Sequence, residues 1–381
     1  MERKAMKTIL GLCILLLAGT LFAEPAFRPG EIWPDDHGVH INAHGGGVLF
    51  HEGVYYWFGE HKIGGTAGNA AHVGVHVYSS RDLYAWKDEG IALKVSEDPA
   101  SEIVKGCVLE RPKVLFCAKT GKFVMYFHLE LKGQGYRAAR TGLAVADRPT
   151  GPYTFLRSFR PNAGKWPLNA KPSAKSPEVI AAAKRLGELS GAPSEEGKRS
   201  EIYPGHVDGG QMSRDMTLFL DDDGKAYHIY ASEHNSTMQI AELTDDFLGY
   251  TGRYVRILEK TWTEAPAICK WGGWYYLIGS GCTGWDPNTA RLFRAKAIFG
   301  PWEPLGNPCR GVNPQNGMGP EKTWGGQSTF ILPVNGKPGT FIAMFDIWRP
   351  KNAIDGRYIW LPVTFDGDSL SITWADAWTL K

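Results

Sequence analysis

The sequence predicts an all-β fold, a five-bladed β-propeller with a partly helical insertion between blades two and three. Three observations predict it. Five segments share one layout: a polar or Gly-rich corner, a short apolar strand, a Gly-containing turn and an aromatic-rich strand. Strand-like text follows each of the early members, so a unit amounts to about four antiparallel strands. The turns carry the glycines that tight hairpins need for positive φ. Four-stranded units repeated around an axis describe a propeller. A β-sandwich also uses short strands and Gly turns, but it does not predict a polar residue at the same strand edge in every unit.

The elements follow in order. Residues 1–23 read as a secretory signal peptide. Basic "MERKAMK" precedes apolar "TILGLCILLLAGTLF", and Ala23 offers a small residue for cleavage. Cleavage there removes Arg3, Lys4 and Lys7 against Glu2, which takes the formal net charge from +2 to zero. The mature domain is then 24–381, exported to a periplasmic or extracellular space. Blade one opens with "HGGGVLFHEGVYYWFGE" from His44 and continues in "GVHVYSSRDLYAWKDEGIAL". Blade two opens with "ERPKVLFCAKTGKFVMYFH" from Glu110 and continues in "TGLAVADRPTGPYTFLRSF". The spacing then breaks over residues 160–210. There "SPEVIAAAKRLGELSG" has a Ser-Pro start, helical spacing and a Gly stop, within Pro-, Gly- and Ser-rich text. This insertion is expected to decorate one blade connection or to wall a cleft.

Blade three opens with "DMTLFLDDDGKAYHIYASE" from Asp215. Blade four opens with "EAPAICKWGGWYYLIGS" from Glu264, and blade five with "GQSTFILPVNGKPGTFIAMFD" from Gly326. "RYIWLPVTF" and "LSITWADAW" complete the last blade.

Bulk properties narrow the function classes. Lys plus Arg is 42 and Asp plus Glu is 40, a balance that gives no support for nucleic acid or an anionic membrane as partner. No later segment reaches the roughly 20 apolar residues of a membrane span. A soluble monomer is expected. Core filling is expected to take most of the 14 Trp, and a surplus suits stacking on sugars or bases. Five cysteines remain after cleavage, and no CxxC is present, so neither a zinc knuckle nor a dithiol redox motif is supported. Among the 11 His no pair has convincing ligand spacing, and His72, His76, His206 and His228 read as surface or core residues. No metal or cofactor is expected from the residues themselves.

The corners carry the chemistry. Innermost propeller strands surround a channel, so residues at the same end of each strand converge. These are His44 or Gly45, Glu110, Asp215, Glu264 and Gln327. Grouped carboxylates raise each other's pKa, which suits general acid catalysis near neutral pH. Glycoside cleavage requires that arrangement: one carboxylic acid protonates the leaving oxygen, and a second group handles water or attacks carbon. Asp221, Asp222 and Asp223 in "DDDGK" read instead as a solvated hairpin turn.

These motifs resemble glycoside hydrolase family 43, which implies a five-bladed propeller. "RDMTLFLDDDGKAYHIY" is similar to the family's blade-three signature and implies that Asp215 modulates the acid's pKa. "EAPAICKWGGWYYLIGSGCTGW" is similar to its blade-four signature and implies that Glu264 is the general acid. The family's blade-one Asp-Pro base is missing, and the matching position falls near Gly45. That departure, with "AHGGG", "FGE", "ERPK", "RDMTLF", "EAPA" and "TGW" in order, resembles the exo-β-1,3-galactanase branch. The branch implies a blade-five Gln, here Gln327, as the group that orients water. It implies Glu110 as a residue that contacts or tunes the sugar site, and Glu60, Thr283, Trp285 and Asn288 as further sugar contacts. His44 would line the vacated base position. The substrate implied is a plant-type β-1,3-galactan, the arabinogalactan backbone, cleaved with inversion. The broader family implies α-L-arabinofuranosidase or β-xylosidase activity as an alternative, and leaves room for a calcium or sodium ion in the channel. The missing base also admits a carbohydrate-binding propeller without catalysis.

Overall fold

A computed structural model describes residues 25–187, 201–284 and 286–381. The signal-peptide reading of 1–23 and the reading of Trp285 therefore lie outside the described residues. Five sheets, each drawn mainly from one stretch of chain, form a five-bladed β-propeller. Blade one contains β1 (His44–His51), β2 (Val54–Lys62), β3 (His72–Ser80) and β4 (Lys87–Lys94). Blade two contains β5 (Val108–Cys117), β6 (Lys122–Glu130), β7 (Arg140–Ala146) and β8 (Thr154–Phe159). Blade three contains β9 (Met216–Leu220), β10 (Ala226–Ser232), β11 (Thr237–Leu243) and β12 (Tyr250–Ile257). Blade four contains β13 (Thr263–Trp271), β14 (Trp274–Gly281), β15 (Arg291–Ala295) and β16 (Glu303–Gly306).

Blade five is built differently. The short β17 (Cys309–Arg310) pairs in parallel with β21 (Ser369–Thr373) at the outer edge. Inward lie β20 (Arg357–Asp366), β19 (Phe341–Ile347) and β18 (Gln327–Pro333). The ring closes where Phe27 and Trp378 exchange backbone hydrogen bonds of 2.9 and 3.1 Å. Between β8 and β9 the described chain forms one helix, α1 (Pro177–Gly187), and two single helical turns, Pro172–Lys175 and Tyr203–His206. No described helix is long and apolar enough to cross a membrane.

The core is a set of wedges between neighbouring sheets, because each blade buries both of its faces. The wedge between blades five and one is the most aromatic. Trp57 is 1% exposed there, with Tyr358, Trp360, Trp86 and Trp33 at centroid distances of 4.6, 4.7, 5.4 and 5.6 Å. Trp57→Ala is expected to destabilise the domain by roughly 3–5 kcal/mol, read as a fall in the denaturant midpoint; a loss under about 1 kcal/mol would mean that this wedge does not hold the ring closed. All five cysteines among the described residues are free thiols, and only Cys282 is exposed.

The corners share a backbone device. The β1–β2 ladder slips between His44 and Gly47, the β5–β6 ladder between Glu110 and Lys113, and the β13–β14 ladder between Glu264 and Ala267. In each case the residue after the corner is left-handed: Gly45 at φ 61°, Arg111 at 57° and Ala265 at 55°. Such bulges re-aim a side chain and are enriched beside active sites. Here they turn strand entries toward the channel.

Candidate active site

The corners of blades two to five meet at one end of the channel. They line a cavity of about 480 Å³ together with Glu60, Asn69, Tyr136, Asn235 and Trp348. Glu264 is held at both oxygens. Gln327 Nε2 donates to Oε1 at 3.0 Å, and Asn235 Nδ2 donates to Oε2 at 2.9 Å. Burial and then the negative charge of Asp215 push the Glu264 carboxyl up to about 7, although Arg111 works against them. A carboxylic acid that keeps its proton to neutrality suits proton donation.

Arg111 ties three blades together. Its Nη2 meets Asp215 Oδ2 at 3.0 Å and also donates to Gln327 Oε1. Its Nη1 donates to the Ser328 carbonyl at 3.0 Å. Guanidinium is a donor only, so it fixes the Gln327 amide with oxygen toward Arg111 and nitrogen toward Glu264. The same Nε2 donates to Ser280 Oγ at 2.8 Å. Gln327 thus touches the carboxyl directly. An inverting pair stands about 6.5–9.5 Å apart with water between. Water can enter here only if Gln327 releases Glu264.

The opposite wall is ionic. Glu110 accepts from Tyr136 Oη at 2.8 Å and from Asn69 Nδ2, and its Oε2 forms an ion pair with His128 Nδ1 at 2.9 Å. Burial raises its pKa, but the His128 bond and charge outweigh this and hold it down to about 2. Burial lowers His128, yet Glu110 and Glu130 raise it to about 10. Glu60 is fully buried and pairs with Lys62 Nζ at 2.9 Å, while the Arg111 N–H donates to its Oε1 at 3.0 Å. Burial raises Glu60 against that pairing.

Glu110, His128 and Asp215 offer ligand atoms within 4.8 Å of one another. They fit a cation poorly. His128 stands between Glu110 and Glu130, 2.9 and 3.0 Å from its two ring nitrogens, and their charges favour its protonated form, which has no lone pair for a metal. Calcium also prefers six or more oxygen ligands.

A β-1,3-galactosidase of family GH43, solved with galactodeoxynojirimycin, is 52% identical, with a TM-score of 0.83 over 93% of this chain and 100% of its own. The chain belongs to glycoside hydrolase family 43. The pattern for "Glycosyl hydrolases family 43" matches residues 190–357. An exo-β-1,3-galactanase from Clostridium thermocellum is 32% identical, with a TM-score of 0.73, over 93% of this chain and 66% of its own. One from Phanerochaete chrysosporium, solved with β-1,3-galactotriose, is 30% identical, with a TM-score of 0.73, over 94% of this chain and 69% of its own. No curated protein sequence matches the chain.

Within this glycoside hydrolase fold the missing blade-one carboxylate has a steric cause. A Cβ on Gly45 would stand 2.3 Å from Glu60 Oε1, on a backbone at φ +61°. The Gly45 N–H instead donates to Asp346 Oδ2 at 2.5 Å. Asp346 is 1% exposed, and burial pushes it up to about 7. Sequence reasoning missed it because it lies at the end of β19, across the ladder from Gln327, and not at the entry of an innermost strand.

Several expected sugar contacts are placed elsewhere. His44 does not line the cavity. Its ring is 1% exposed and packs against Trp348 and Tyr358 at 5.3 and 5.4 Å. The slip after His44 turns it behind the wall, so its lining role is not carried. Thr283 and Asn288 bond to each other at 2.7 Å, and Asn288 also holds the Gly281 N–H and carbonyl at 2.7 and 2.8 Å. They brace the loop that brings Gly284, rather than themselves, to the cavity. No described residue of 160–210 lines it either. The contributions missed from sequence are Arg111, His128, Arg214, Asn69, Tyr136, Asn235 and Trp348. Arg111 and Arg214 had a signal, since they sit in "ERPK" and "RDMTLF".

Proposed function

We propose that the chain is an exported, monomeric, inverting exo-glycosidase that releases galactose from β-1,3-galactan. The observation that carries this is Glu264, a buried carboxyl raised to about 7 beside Asp215 in a cavity of about 480 Å³. That volume lies within the range of small-ligand clefts, roughly 300–1,000 Å³. The identity of 52% to a β-1,3-galactosidase supports the sugar and the linkage. We read residues 160–210 as an insertion on the propeller plan and the N-terminal 23 residues as the export signal. The reaction needs no metal and no nucleic-acid or membrane partner.

In this mechanism Glu264 gives its proton to the leaving oxygen as the C1–O bond breaks, and Asp215 sustains the protonated state. Sugar entry frees Gln327 Nε2 from Glu264. Water then sits at the second lone pair of Gln327 Oε1, the first being held by Arg111, and adds to C1. As it adds, Gln327 Oε1 takes one of its protons, so the amide is O-protonated while product is present. When product leaves, the contact with Glu264 re-forms, Nε2 gives a proton to the Glu264 carboxylate, and the imidic tautomer left behind reverts to the amide. Glu110, Asn69 and Tyr136 offer hydrogen-bonding groups to the sugar hydroxyls, and Glu60, fully buried, holds the Arg111 backbone behind them.

The test is galactose release from β-1,3-galactobiose, with the first-formed anomer read by proton NMR. The α-anomer is expected to appear first. Release from aryl arabinofuranosides or xylosides, with none from galactobiose or galactan, would overturn the reading.

A further inference from the structure

The turn between β10 and β11 is unusual. Glu233, His234 and Asn235 are all left-handed, at φ 52°, 57° and 68°. Non-glycine residues adopt that region at a cost, so consecutive examples persist only where the surroundings over-determine them. The last of the three, Asn235, holds Glu264 Oε2 at 2.9 Å.

What fixes the turn lies behind it. Glu233, 2% exposed, makes a two-pronged pair with Arg256, Nε to Oε1 at 2.6 Å and Nη2 to Oε2 at 3.0 Å. The guanidinium carbon of Arg256 lies 3.9 Å from the centre of the fully buried Tyr203 ring. Asn169 clamps the Arg256 backbone, accepting from its N–H at 3.1 Å and donating to its carbonyl at 2.7 Å. Tyr203 and Asn169 both belong to the connection between blades two and three. The connection is itself anchored in blade three. Gln211 donates to the Tyr203 carbonyl at 3.2 Å, Gln239 donates to Gln211 at 3.2 Å, and Tyr230 donates to Gln239 at 2.8 Å.

We propose that this connection is a buttress for the general acid. Tyr203 and Asn169 lock Arg256, Arg256 locks Glu233, and the strained turn then presents Asn235 to Glu264. Arg256, Glu233 and Tyr203 are positioning residues, and none of them lines the cavity. The inference rests on the glycosidase reading of Glu264. A buried ion pair gives little net stability, because desolvation offsets its attraction. Its directional, two-pronged geometry is what the turn uses. The described residues of the connection thereby act on catalysis without lining the cleft.

The test compares two substrates in the full-length chain. β-1,3-Galactobiose needs a proton at its leaving oxygen, whereas a nitro-activated aryl β-galactoside needs little. Arg256→Met combined with Glu233→Leu removes both charges together. Tyr203→Leu keeps the ion pair and removes only the ring beneath it. For both variants kcat on galactobiose is expected to fall roughly 10–100-fold, as for a misplaced catalytic group, and less for the Tyr203 variant. On the aryl substrate the change is expected to stay within about threefold, since proton donation is the function lost. Circular dichroism and the denaturant midpoint monitor folding. Equal losses on both substrates, or no loss on either in folded protein, would overturn the buttress. Wild-type protein that cleaves neither substrate would overturn the glycosidase reading itself, and the buttress with it.

Discussion

Glu264→Gln is expected to lower kcat on β-1,3-galactobiose by roughly 10²–10⁴, the usual contribution of a general acid, with little change in KM. The substitution keeps the shape and removes the proton. It also keeps the contacts. Asn235 Oδ1 has no hydrogen-bond partner among the described residues, so the Asn235 amide can rotate and accept from the new amide. The wild-type rate should fall as pH rises through about 7, because burial and Asp215 hold the carboxyl protonated up to that point. Removing the Asp215 charge as Asp215→Asn takes away one of those raising influences. The alkaline limb of the profile should then move to lower pH. A Glu264→Gln variant that retains more than about a tenth of wild-type kcat would remove Glu264 from the acid role.

The same residues show what a sequence can disclose. Glu110, Asp215, Glu264 and Gln327 were legible because each lies within three residues of the start of an innermost strand, and a repeated strand entry converges on the axis by symmetry. Arg111 was hidden by the rule that reveals strands. In a regular strand the residue after Glu110 faces the opposite side. The left-handed bulge at φ 57° breaks that alternation and turns Arg111 into the channel. The same device misled the reading of His44, which holds a corner position in sequence but is rotated behind Trp348. Asn69 and Tyr136 come from connections between strands, where no periodicity marks a direction. Their meeting on Glu110 depends on the packing of blade one against blade two. Gly45 was legible as a missing carboxylate. Its cause was not, because Glu60 Oε1 occupies the space from the neighbouring strand.

Arg111→Met is expected to lower kcat/KM by about 10²-fold or more, since it misplaces two groups of the site at once. Asp215 loses its 3.0 Å partner, and Gln327 loses the donor that fixes its amide. Leaving Asp215 and the buried carboxylates uncompensated should also cost roughly 3–5 kcal/mol of stability, as for a broken buried pair. Arg111→Lys restores the charge but not the fork that reaches Asp215, Gln327 and the Ser328 carbonyl together, so it should recover stability better than activity. The pH profile supplies the discriminating sign. The Arg111 charge lowers the Glu264 carboxyl, so its removal should move the alkaline limb to higher pH, opposite to the effect of Asp215→Asn. The measurement is kcat/KM against pH for both variants beside wild type. Limbs that move in the same direction would show that Arg111 does not act on Glu264 through its charge, and an Arg111→Met enzyme of wild-type activity would show that Gln327 needs no fixed orientation.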